Sequence, residues 1–174
     1  MIEVSQIQAA KERLKDVIVT TPLMKNYNLS EKYDCNILLK REDMQAVRSF
    51  KNRGAYNKMS CLTKVEKKKG IVCASAGNHA QGVAFACAHL SIQGKIFMPS
   101  PTPNQKVDKV RKFGKKWIEI ILVGDNFDDA YQAALDSQQL EGTTFVHPFD
   151  DEEVIAGQGT IAPEILDQTD VPLD

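Results

Sequence analysis

Two short stretches hold residue types that can do chemistry together. In "SFKNRGA", residues 49–55, Lys51 follows the aromatic Phe50 and precedes an arginine and a small-residue pair. If Ser49 caps a helix here, Lys51 falls in the first turn, where burial and the positive helix end both favour the neutral amine. Such an amine attacks carbonyl carbon and carries protons, and the Phe50 ring could lie beside a planar cofactor. In "ASAGNHAQG", residues 74–82, the small Ala74, Ser75, Ala76 and Gly77 let the backbone approach a ligand. The free N–H groups of a helix beginning after them attract a carboxylate or phosphate. Taken singly, each stretch has a plainer reading: Lys51 as one more solvated cation, Asn78 as a helix cap and His79 as a surface residue.

The elements that must position these residues follow from patterning. Ile7, Ala10, Leu14 and Val17 recur at helical spacing after a candidate cap at Ser5. "TTPLMKNYNLS" is expected to be an extended or irregular link because of Pro22, and "NILLK" (36–40) a short strand. A helix starting at Ser49 would bury Gly54, Ala55, Met59 and Leu62. From Gly70 onward apolar strand-like runs alternate with helical segments: "GIVCAS", "NHAQGVAFACAHL", "GKIFMP", "NQKVDKVRKFG", "WIEIILV", "NFDDAYQAALDSQQ" and "TTFV". That alternation predicts βαβ units, a parallel sheet with helices on both faces, and a ligand at the carboxyl ends of its strands. The tail "VIAGQGTIAPEILDQ" adds one more helix.

Composition narrows the function. Over 174 residues, 22 Lys and Arg balance 23 Asp and Glu, for a formal net charge of −1. This argues against a nucleic-acid partner, and "KVEKKKG" (64–70) is expected to be a solvated face or connector. No apolar run nears the ~20 residues that span a bilayer, so no membrane role is expected. Four cysteines without C-x-x-C pairing suggest no metal site and a reduced, cytoplasmic setting. Met24, Met44 and Met59 are expected to pack, His147 to serve a turn, and "DNFDD" (125–129) to start a helix.

"SFKNRGAYNKM" and "ASAGNHAQGVAFAC", followed by "FMPSPTPNQKVDKVRKFG" and "HPFDDEEVIAGQGTIAPEIL", closely resemble the threonine deaminases, pyridoxal-phosphate enzymes of the tryptophan-synthase-β fold (fold type II). The resemblance runs from about residue 5 to the last residue. It implies an α/β fold in which 1–70 and 148–174 belong to a larger cofactor-holding domain, truncated here, and 71–147 form a smaller mobile domain. It also implies that Lys51 holds pyridoxal 5'-phosphate covalently, that Phe50 lies beside the ring and that Asn78 hydrogen-bonds the phenolic oxygen. Ser75, Gly77, His79 and Gln81 would belong to the loop receiving the substrate carboxylate. The implied reaction is deamination of L-threonine to 2-oxobutanoate and ammonia in amino-acid biosynthesis, by a homo-oligomer when complete.

Serine racemases of this fold place a serine where Ala76 stands and use it as an acid or base, so deamination without efficient racemisation is expected; a serine dehydratase or racemase is the alternative. Family members also continue into a strand and a glycine-rich loop that binds the cofactor phosphate, whereas none of the ten glycines here adjoins another. The expectation is therefore a fragment that is inactive by itself, with an inactive oligomerisation or regulatory fragment as the reading outside enzymes.

Overall fold

The computed structural model describes residues 2–170, 172 and 173. Helix α1 (Val4–Leu14) buries Ala10 and Leu14, with a capping box between Glu3 and Gln6. The cap is thus Glu3 rather than Ser5, and Val17 lies beyond the helix. The expected link at 20–30 is more ordered than Pro22 suggested. It contains strand β1 (Leu23–Lys25) and helix α2 (Tyr27–Tyr33), whose N-cap Asn26 accepts from the Leu29 N–H. Strand β2 (Leu38–Lys40) pairs antiparallel with β1, Met24 opposite Leu39. Met24 and Met44 are exposed, contrary to the packing expected of them, while Met59 is fully buried.

Helix α3 (Lys51–Ser60) follows a 3-10 turn at Glu42–Met44. Phe50 is the residue before its first turn and makes no side-chain cap; Ser49 Oγ, the expected cap, is buried without a partner among the described residues. Helix α4 (Lys64–Lys69) buries nothing and is capped by Thr63 and Glu66, as a solvated connector would be.

Beyond it, β3 (Ile71–Ala74), α5 (Asn78–Leu90), β4 (Gly94–Met98), α6 (Asn104–Gly114), β5 (Ile118–Leu122), α7 (Phe127–Glu141) and β6 (Thr144–Phe145) alternate as the pattern predicts. Within this four-stranded sheet, ordered β5-β4-β3-β6, every pairing is parallel. Side chains alternate across the sheet. Ile71, Cys73, Ile96 and Met98 join a core with α3, α5 and α6 residues, while Val72, Ala74 and Phe97 meet Ala130 and Ala134 of α7. Three layers result. The tail forms two helices, α8 (Glu152–Gly159) and α9 (Ile161–Asp167), because the chain breaks at Thr160, whose hydroxyl donates to the Gly157 carbonyl.

α3 packs on α5 and α8. At Gly82 a Cβ would stand 2.8 Å from the Lys51 carbonyl oxygen, so only glycine lets α5 come this close to the lysine. Asn52, beside it, is fully buried, and neither its Oδ1 nor its Nδ2 is hydrogen-bonded among the described residues. An unpaired buried amide costs about 1–3 kcal/mol. Asn52→Leu, also the better helix former, is expected to raise the urea midpoint; a lower midpoint would show that leucine's shape fits worse than the unpaired amide.

Candidate active site

The strand order contains a reversal. The chain leaves β3 through α5 toward β4 and β5, then α7 carries it back to β6 on the other side of β3. The crevice outside the carboxyl ends of β3 and β6 is therefore the switch point where ligands of such sheets bind. Ser75, Ala76 and Gly77 leave β3 into it, and His147 and Pro148 follow β6.

After β3, the Ser75 N–H continues the sheet pattern by donating to Phe97 (3.0 Å), and Ser75 Oγ accepts from the Gly77 N–H (3.1 Å). Gly77 precedes α5 with no side-chain cap, and a Cβ on it would meet nothing within 4 Å. The first-turn N–H groups of α5 are thus left to an anion rather than to a local oxygen. Asn78 is exposed in this turn, whereas His79 and Gln81 are buried. His79 faces inward, its Nε2 donating to the Val146 carbonyl (2.9 Å). Burial pushes its pKa down to about 4, with smaller contributions from Lys51 and His147, so the ring is neutral near pH 7. The structure thus brings Ser75, Gly77 and Asn78 to the crevice mouth and uses the His79 ring to hold the turn.

Lys51 is the first residue of α3 and half-buried. Its Nζ donates to the Pro148 carbonyl (2.7 Å) and lies 5.3 Å from the centroid of the partly exposed Phe50 ring. Desolvation lowers its pKa below the ordinary lysine value. A carbonyl partner brings no negative charge to oppose that lowering, so the amine reaches its nucleophilic form at a lower pH than a surface lysine. His147 serves the expected turn: its Nδ1 accepts from the N–H groups of Phe149 (3.3 Å) and Asp150 (2.7 Å).

Sequence reasoning missed Pro148, which acts through its backbone and has no side-chain signature for the role. It also missed Arg53. That guanidinium is 1% exposed and places all its donors: Nε and one terminal nitrogen on Glu42 (both 2.8 Å), both terminal nitrogens on Glu164 (2.6 and 2.9 Å), and one also on Thr160 (3.1 Å). Lys40 joins at 2.7 Å from Glu164. The knot anchors the turn that carries Lys51. A signal was present, since an arginine directly before Gly54 and Ala55 of the expected buried stripe needs partners in the interior.

These residues fit a planar aldehyde that also carries an anionic group: an amine of lowered pKa, an aromatic neighbour, and an uncapped helix start beside open space. A model of the family described as "Pyridoxal-phosphate dependent enzyme" matches residues 14–174. The chain is 59% identical over 170 residues to the biosynthetic L-threonine dehydratase IlvA of Bacillus subtilis, and 52% identical over 168 residues to that of Lactococcus lactis. These matches cover 98% and 97% of this chain but 40% of each relative, so the chain spans about two fifths of their length. The processed form of threonine deaminase isoform 2 from Solanum lycopersicum superposes with a TM-score of 0.89 at 45% identity, over 95% of this chain and 44% of that one. Maize serine racemase gives 0.90 at 29% identity, over 96% and 50%. No helix among the described residues is long and apolar enough to cross a membrane.

Proposed function

The chain belongs to the family of pyridoxal-phosphate dependent enzymes, and from that membership we propose that it supplies the lysine for deamination of L-threonine to 2-oxobutanoate and ammonia. The observation that carries this reading is the Lys51 amine, half-buried and free of any counter-charge in its bonding, set at the switch point beside the uncapped start of α5. Lys51, Phe50 and Asn78 would hold the cofactor, and the turn Ser75–Asn78 would receive the substrate carboxylate on backbone N–H groups. When bound, the cofactor supplies a conjugated ring that accepts the electron pair left on the substrate's α-carbon. Lys51 Nζ takes the α-proton, for which burial has prepared it by favouring the neutral amine. The β-hydroxyl departs as water by taking up the proton that Lys51 abstracted, and a second water hydrolyses the released enamine, through its imine, to the 2-oxo acid and ammonia. Residues 71–147 act as the smaller, mobile domain, and the working protein is a cytoplasmic homo-oligomer.

The likeness to maize serine racemase raises a second reading, and Ala76 separates the two. A methyl side chain has no exchangeable proton with which to reprotonate the opposite face of the substrate. Threonine and serine themselves differ by one methyl, worth only about 1–3 kcal/mol in a pocket. The test is a chimera in which residues 1–174 replace the matching two fifths of the Bacillus subtilis relative. It is expected to release 2-oxobutanoate from L-threonine and to leave recovered serine unracemised, while Ala76→Ser raises racemisation. A folded, cofactor-loaded chimera that interconverts serine enantiomers as fast as it releases ammonia would overturn the proposal.

A further inference from the structure

We propose that His79 is a positioning residue for Lys51, acting through the strap of residues 146–151: its Nε2–H fixes the Val146 carbonyl and so aims the Pro148 carbonyl at the lysine amine. The two bonds, 2.9 Å from His79 to Val146 and 2.7 Å from Lys51 to Pro148, engage carbonyls two residues apart on one short segment. Both ends of that segment are fixed. The Val146 N–H donates to Val72 of β3 (2.9 Å), and Asp151 caps α8 and pairs with Lys58 of α3 at 2.7 Å. Between them, the Phe149 and Asp150 N–H groups close the turn on His147 Nδ1.

The chemistry of the ring supports a strut. A carbonyl only accepts, so Nε2 carries the hydrogen, and the buried Nδ1 is left bare, without a partner among the described residues. An apolar side chain would avoid that unpaired nitrogen; the imidazole offers in return the bond to Val146. The groups whose charge bears on the ring are Lys51 and His147, and both disfavour a second proton, which keeps the strut in one form. At the far end, a carbonyl orients the Lys51 amine without contributing charge, whereas a carboxylate in its place would favour the ammonium.

The catalytic meaning of this strut rests on the proposed role of Lys51, but its test needs no cofactor. The 174-residue chain is labelled with trace acetic anhydride across a pH series, and peptide mapping gives the titration midpoint of Lys51 beside that of exposed Lys109. In the unsubstituted chain, Lys51 is expected to titrate below Lys109. His79→Leu should move its midpoint up toward that of Lys109, as the amine swings into water, and His79→Gln, which keeps an N–H near the Nε2 position, should restore it. An unchanged midpoint in His79→Leu, or no rescue by His79→Gln in a chain of native circular dichroism, would overturn the proposal. If His79→Leu does not fold, Pro148→Gly, which loosens the strap directly, must give the same upward shift or the proposal fails. A midpoint that shifts as expected while the chimera handles no threonine would count against the proposed function alone.

Discussion

Lys51→Ala, made in the chimera, is expected to lower threonine turnover by about 10³-fold or more, because in the proposed mechanism one amine both attaches the cofactor and moves the α-proton. The geometry makes this residue hard to replace. Lys51 is held in the first turn of α3 by the close contact at Gly82 and by the Pro148 carbonyl. Another lysine would have to enter the crevice between β3 and β6 from elsewhere on the fold. Lys58, on the same helix, is paired with Asp151, and Lys40 is committed to Glu164. Borohydride treatment of the cofactor-loaded protein followed by peptide mapping should place the pyridoxyl group on Lys51. A label on any other lysine, or an alanine variant retaining a tenth of its turnover, would remove Lys51 from the mechanism.

Arg53→Met is expected to cost stability on the order of 3 kcal/mol, the low end of what stranding buried charge costs. The substitution leaves Glu42 and Glu164 enclosed without the guanidinium that bridges them. Among the described residues, Glu42 would keep only the Thr21 hydroxyl (2.6 Å) and the Gln45 amide (3.3 Å), and Glu164 only Lys40. Those remaining partners keep the cost at the low end. Burial by itself raises the Glu42 pKa, but hydrogen bonds from Arg53 and Thr21, with the Arg53 charge, outweigh it and leave the group below the ordinary carboxylate value. A depressed carboxylate contributes stability above its unfolded pKa of about 4.3 and loses it as pH falls through the folded value. Urea unfolding should therefore show a wide gap between Arg53→Met and the parent at pH 7, narrowing in acid. Adding Glu42→Gln and Glu164→Gln should recover much of the loss, since neutral amides cost less to bury unpaired. Equal midpoints for the parent and Arg53→Met at pH 7 would show that the knot holds nothing.

Local pattern determined a great deal of this protein. The alternation from Gly70 onward is written in period-2 and period-3.6 spacing, so β3 to β6 and α5 to α7 were legible to within one or two residues at their ends, as were a lysine in a helix's first turn and a small-residue turn after a strand. Where the pattern is short it misleads. β1 is three residues long and is a strand only because β2 lies beside it, and Asn26 and Glu3 cap helices that Pro22 and Ser5 had obscured. Partners distant along the chain were decided by the tertiary structure alone. Lys51 meets a carbonyl 97 residues away, His79 one 67 residues away, and Arg53 a carboxylate 111 residues away. The return of β6 to the far side of β3, which creates the crevice, is likewise invisible in any one segment. The reason is physical: periodicity reports which face of an element is apolar, whereas the direction of a carbonyl or the pairing of a buried charge depends on where several elements come to rest against one another.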